Sequence, residues 1–203
     1  MCKFYFASSQ KRKSEAKFVK NKKVFEWLAR LSDTFNYSCF IEPSWPGSGQ
    51  SDFIFFSKTT TFNIEVRNWH GVIKGGTRDN WFVDRKNIKE NPLLHSKYMA
   101  ESFKIYLSEI YPTLLPETIK VYPIVVLPMT RPEMYIPRYG PHGWTNVITD
   151  EQQLIDAIEK SSSERGVTVG DLIEDSASLF NVKRLSLDKL RAIVDKYMSK
   201  EQR

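Results

Sequence analysis

Asp52 stands a short way ahead of the run Asn63-Ile64-Glu65-Val66-Arg67-Asn68-Trp69-His70-Gly71. On an extended strand side chains alternate, so Asn63, Glu65 and Arg67 share one face while Phe62, Ile64 and Val66 take the other. Burying the apolar triplet leaves a polar face carrying an acid and a base. Segments 52–56 and 61–67 are β-rich with polar residues between them, which predicts a hairpin. A two-residue loop pairs either Ser57 with Thr60 or Lys58 with Thr61, and these registers set Asp52 opposite Glu65 or Arg67. Opposed residues share a face, so two carboxylates converge beside a cation. Carboxylate oxygens in such a cluster suit Mg²⁺ or Mn²⁺, ions used in phosphodiester hydrolysis to polarise phosphate and activate water.

The surrounding elements must position that hairpin. Phe18, Val24, Phe25, Leu28 and Leu31 recur at roughly helical spacing, predicting one helix over 15–31. A short strand over 37–41 follows, ended by Pro43, Pro46 and two glycines. A third strand is expected at 81–83. Asn91-Pro92 opens a helix running to residue 110, with Asn as the cap and Pro at its first position. On it His95 aligns with Met99, Phe103, Tyr106 and Ile110, the side that should meet the sheet. Residues 120–127 read as a fully buried strand, 146–149 as another, and Asp150 caps a helix over 153–159. From residue 167 the tail reads as two amphipathic helices. Leu187, Leu190, Val194 and Tyr197 form a stripe that suits a partner, a second copy, or packing onto the main core.

The chain has 203 residues, 41% hydrophobic and 27% charged, enough for one filled core with a small appendage. Apolar runs such as 122–129 are too short for a membrane span, and the basic start lacks a secretory pattern, so a cytoplasmic location is expected. Cys2 and Cys39 read as free thiols. Residues 1–30 hold nine basic side chains against two acidic ones, a net of +7 within a total of +6. Clustered positive charge suits phosphate backbones, and equally a solvated helix face. Trp69, Trp81 and Trp144 suit core packing more than base stacking, and His70 and His142 sit beside glycines in turns without zinc-ligand spacing. Dinucleotide, P-loop and esterase motifs are absent from the sequence.

Asp52, then Ile64-Glu65-Val66-Arg67-Asn68-Trp69-His70-Gly71, then Asn91-Pro92-Leu93-Leu94-His95, in this order and from about Glu26 to Leu127, resemble the NERD (nuclease-related) domain of the PD-(D/E)XK nuclease superfamily. The resemblance implies an α/β, restriction-endonuclease-like core: a central mixed sheet flanked by helices. That core would span residues 1–160, with a helical C-terminal extension over 161–203. It further implies Asp52 and Glu65 as metal ligands for Mg²⁺ or Mn²⁺, the Val66 carbonyl nearby, and nucleic acid, DNA foremost, as substrate. A glutamate of the first helix usually joins such a site. Glu15 and Glu26 both qualify, three turns apart, and Glu26 is preferred. Two positions depart from the family pattern. Arg67 replaces a lysine, and a guanidinium stabilises charge on phosphate but accepts no proton, leaving water activation to the metal or to Lys74. His95 replaces a glutamine, as a packed residue or a contact to phosphate, and Asn68 either orients its strand end or reaches a phosphate oxygen.

Overall fold

The computed structural model describes residues 3–7, 11–34, 38–46, 50–56, 61–87, 90–113, 115–129, 146–162 and 182–201. A seven-stranded mixed sheet organises them. Its strands are β1 (Lys3–Ala7), β2 (Ser38–Ile41), β3 (Phe53–Phe56), β4 (Thr61–Val66), β8 (Val121–Val126), β9 (Val147–Ile148) and β10 (Val182–Leu185), in the order β10-β1-β2-β3-β4-β8-β9. β1 runs parallel to β2, and β4, β8 and β9 are mutually parallel, while the β10–β1, β2–β3 and β3–β4 pairs are antiparallel. Three short strands, β5 (Ile73–Lys74), β6 (Phe82–Val83) and β7 (Lys86–Asn87), form a separate sheet beyond the end of β4. The strand expected at 81–83 belongs there.

Alternation along the strands separates two cores. Phe53, Phe55, Phe62, Ile64 and Val66 point to one face, where α1 (Lys11–Lys20), α2 (Lys22–Thr34), α4 (Glu151–Ser162) and α5 (Leu187–Glu201) bring Phe18, Phe25, Leu28, Leu154 and Leu190 against them. Ile54 and Phe56 point to the other face and meet Met99, Phe103 and Leu107 of α3 (Pro92–Ile110). Burying the seven-strand sheet on both faces explains why β3 and β4 are buried at every position. α3 begins as expected: Asn91 Oδ1 accepts from the backbone N–H of Leu93 at 3.0 Å and of Leu94 at 3.2 Å, and Pro92 fills the first position.

Two sequence expectations change. The first helix is broken at Asn21, whose N–H is shared between the carbonyls of Lys17 and Phe18, and whose own carbonyl starts α2 by accepting from Phe25 at 3.1 Å. Asn is among the residues that favour helix caps over helix interiors. Glu15 and Glu26 therefore do not share the face of one continuous helix. The C-terminal segment is also more than a helical extension: β10 completes the sheet beside β1, and α5 closes over α1. Leu190 is fully buried, Leu187 and Val194 pack on the same core, and the Tyr197 hydroxyl donates to Glu15 Oε2 at 3.1 Å. The apolar stripe of α5 is thus spent within the chain; its preceding expected helix falls largely outside the described residues. Among the described residues no helix is long and apolar enough to cross a membrane.

Candidate active site

β3 and β4 pair Phe53 with Ile64 and Phe56 with Thr61, which is the Ser57–Thr60 register. Carried one step further it sets Asp52 against Glu65, and both line one cavity of about 190 Å³ with Lys17, Arg67 and His95. The two carboxylates are buried rather than solvated, because α3 lies across them: Asp52 is 2% and Glu65 6% exposed. Behind them Ser51 donates to Asn63 Oδ1, the Asn63 amide reaches the Ser96 carbonyl at 3.3 Å, and the Ser96 hydroxyl donates to the Ile124 carbonyl at 3.2 Å. This network ties α3 to the sheet, so Asn63 is part of the frame.

Asp52 is held from two sides. Its Oδ2 accepts from the Val66 N–H at 2.6 Å, which fixes the carboxylate against the end of β4. Its Oδ1 lies 2.6 Å from Lys17 Nζ, which is also 3.2 Å from Glu42 Oε2. Apart from this ammonium, Asp52 Oδ1 and both Glu42 oxygens are buried without a hydrogen-bond partner. Burial, reinforced by the charge of Asp52, pushes the Glu42 carboxyl up to about 8 against the pull of Lys17. At neutral pH the Glu42 carboxyl therefore keeps its proton. Burial opposes the charge on Lys17, but the two acidic groups outweigh it and hold its pKa above the usual lysine value.

Glu65 is held equally firmly. His95 Nδ1 lies 2.8 and 2.9 Å from its two oxygens, and this contact raises the imidazole pKa. Arg67 Nη2 donates to Glu65 Oε1. The same guanidinium reaches Glu90 Oε1 through Nε at 2.9 Å and through Nη2, and the Val66 carbonyl through Nη1 at 3.1 Å. Arg67 thus bridges the end of β4 to the residue just before the α3 cap.

The other expected site residues lie elsewhere. Glu26 is absent from the cavity wall; it accepts from Arg191 Nη2 of α5 at 3.2 Å. Glu15 turns the opposite way from Lys17, as two positions on a helix lie about 200° apart, and binds Tyr197. The α1 residue that does reach the cavity is Lys17. Lys74 pairs with Phe82 in the small sheet and does not line the cavity. The Asn68 amide donates at 2.9 Å to the Lys20 carbonyl and to Asn21 Oδ1, clasping the α1–α2 joint to the end of β4. Trp81 is fully buried with Trp69 packed edge-on at 6.1 Å, whereas Trp144 and His142 fall outside the described residues. The basic N-terminal cluster is partly consumed internally: Arg30 forms two hydrogen bonds to Glu151, and Lys23 donates to the Pro128 carbonyl.

Sequence reasoning missed Lys17, Glu42 and Glu90. Lys17 stands in i, i+4, i+7, i+11 register with Asn21, Val24 and Leu28, so a lysine on a buried stripe was a readable signal. Glu42 and Glu90 flank a strand end and a helix cap, positions with no periodicity to reveal them.

This arrangement, a buried Asp52–Glu65 pair on adjacent strands with a basic residue two positions beyond the glutamate, accompanies a sequence match. The profile of the nuclease-related domain, NERD, matches residues 15–128, more than half of the chain. The chain belongs to the NERD family. That family is generally assigned to the PD-(D/E)XK superfamily, and the mixed sheet flanked by helices agrees with a restriction-endonuclease-like core. The matched NERD region runs from within α1 through β8 and holds every residue lining the cavity. No curated protein and no solved structure matches the chain.

Proposed function

We propose that this NERD protein hydrolyses phosphodiester bonds of nucleic acid, DNA foremost, with Mg²⁺ or Mn²⁺ held by Asp52 and Glu65, and that it acts in the cytoplasm. The observation that carries the reading is the pairing of Asp52 and Glu65 in one cavity with Lys17, Arg67 and His95. Among the described residues no three His, Cys, Asp or Glu side chains gather into a metal cage. Mg²⁺ needs no such cage, since it keeps several waters and is commonly bound by one or two carboxylates plus substrate phosphates. Asp52 Oδ1, whose neighbour is the Lys17 ammonium at 2.6 Å, is a hard oxygen donor suited to it once that ammonium withdraws. When bound, such an ion polarises the phosphate and lowers the pKa of water. The chain's own part is to hold the two carboxylates in place, through the Val66 N–H for Asp52 and through Arg67 and His95 for Glu65.

Arg67 favours a second reading, a core that binds nucleic acid without cutting it. Its guanidinium is spent on Glu65, Glu90 and the Val66 carbonyl, so the position where the family carries a lysine supplies no amine. One assay separates the two. Single- and double-stranded DNA and RNA are incubated with Mg²⁺, Mn²⁺ or EDTA, beside Asp52→Ala and Glu65→Ala. Metal-dependent cleavage lost in both variants is the expected result. Salt-sensitive binding without cleavage establishes the second reading, and cleavage that survives both substitutions removes the site assignment.

A further inference from the structure

Building on the nucleic-acid reading above, we propose that Lys17, not Arg67, is the residue that binds the substrate phosphate. Three cationic or potentially cationic side chains line the cavity, and two are committed. A guanidinium has five N–H donors, and Arg67 directs four contacts at Glu65, Glu90 and the Val66 carbonyl, with its side chain only 21% exposed. Withdrawing it would strand Glu65, a buried carboxylate, without its charged partner. His95 is aimed at the same carboxylate. Lys17 is placed differently. Its side chain is 40% exposed against 21% for Arg67, and it meets Asp52 Oδ1 and Glu42 Oε2 as ion pairs, while Asp52 stays anchored through Oδ2 on the Val66 N–H. A lysine ammonium is a compact charge on a flexible stem, able to exchange a carboxylate oxygen for a phosphate oxygen without unbuilding its surroundings.

The fold holds Lys17 there from both sides. Phe18, the next residue, is fully buried against Phe6 and Phe25, which fixes the rotation of α1. The Asn68 amide fastens the Lys20 carbonyl to the end of β4, which fixes the height of α1 over the carboxylates. Asn68 is therefore a positioning residue for Lys17.

The test uses the full chain in EDTA, so that it reads phosphate binding apart from hydrolysis. The dinucleotide TpT is titrated while the lysine ammonium ¹⁵N resonances are followed at low salt, the Lys17 signal being the one missing in Lys17→Arg. In parallel, binding of a single-stranded oligonucleotide is measured against salt for wild type, Lys17→Ala and Lys17→Arg, each checked for folding by its thermal transition. The Lys17 signal is expected to shift saturably. Lys17→Ala should weaken oligonucleotide binding about tenfold and flatten the salt slope by about 0.7, the contribution of one phosphate contact on a single strand. Lys17→Arg should restore the slope. An unmoved Lys17 signal together with an unchanged slope in Lys17→Ala overturns the assignment, even in a protein that cleaves. A Lys17 response in a protein that cleaves nothing with any metal overturns the hydrolase and leaves the phosphate assignment standing.

Discussion

Arg67 and Glu90 meet at two points, Nε at 2.9 Å and Nη2 on the same Oε1, and so fasten the end of β4 to the start of α3. A lysine has no fork with which to span Glu65, Glu90 and the Val66 carbonyl together. The pocket has been rebuilt around a guanidinium, and restoring the family residue should do harm. Arg67→Lys is expected to cost about 1–3 kcal/mol of stability, the scale of lost hydrogen bonds to charged groups, and to lower cleavage. Urea denaturation and the cleavage rate measure the two effects. Unchanged stability with faster cleavage would contradict this account.

Glu42 makes stability depend on pH in a defined direction. Its carboxyl has an ordinary value of 4.5 and is pushed up to about 8 by burial in the fold. Between those values the folded chain holds a proton that the unfolded chain has released. Stability is therefore lost as pH rises from 4.5 through 8, by on the order of 5 kcal/mol at most. Glu42→Gln should abolish that loss and gain stability relative to wild type above pH 8. Thermal melts of both proteins from pH 5 to 9 test it; parallel curves would show that Glu42 does not titrate this way.

Lys17 Nζ occupies the approach to Asp52 Oδ1 that a divalent ion would need. Lys17→Met should tighten Mn²⁺ binding about tenfold, a change of ~1.4 kcal/mol, while weakening nucleic-acid binding. Calorimetric titration with Mn²⁺ reads the affinity, and adding Asp52→Asn should cancel the gain. Equal or weaker Mn²⁺ binding in Lys17→Met would place the ion away from Asp52.

Gly71 has φ +93°, and a Cβ there would fall 2.2 Å from Asp84 Oδ2. Asp84 Oδ1 accepts from the Val72 N–H at 2.8 Å, so the carboxylate has little freedom to retreat. Gly71→Ala should destabilise the protein by about 2 kcal/mol or more through strain and the lost contact. Its denaturation midpoint is the readout. A midpoint equal to wild type would show that the small sheet is not tied to the rest.

How much of this was legible follows from range. The β3–β4 hairpin, down to two registers that set Asp52 against Glu65 or Arg67, the α3 cap at Asn91 and the apolar side of α2 are local, set by alternation, helical spacing and turn chemistry within a few residues. The helix break at Asn21 depends in addition on Asn68, whose amide comes from a distant strand end, so spacing alone ran the helix through. The places of Glu26, Glu15 and Lys74 failed for a related reason. Each was assigned by distance along the chain, whereas Arg191, Tyr197 and the small sheet decide where those side chains go. The tail's strand was hidden because a four-residue edge strand carries too few positions for a period to show.

β1 lies between β2 and β10, so residue 7 finds one of its partners at residue 182. During synthesis the first strand emerges long before that partner, and one edge of it waits unpaired until almost the whole described chain has left the ribosome. An unpaired edge beside Phe4, Tyr5 and Phe6 is a template for pairing with other chains. The closing of the sheet is the long-range, slow kind of step in folding, and the newborn chain depends on reaching it before it meets a neighbour.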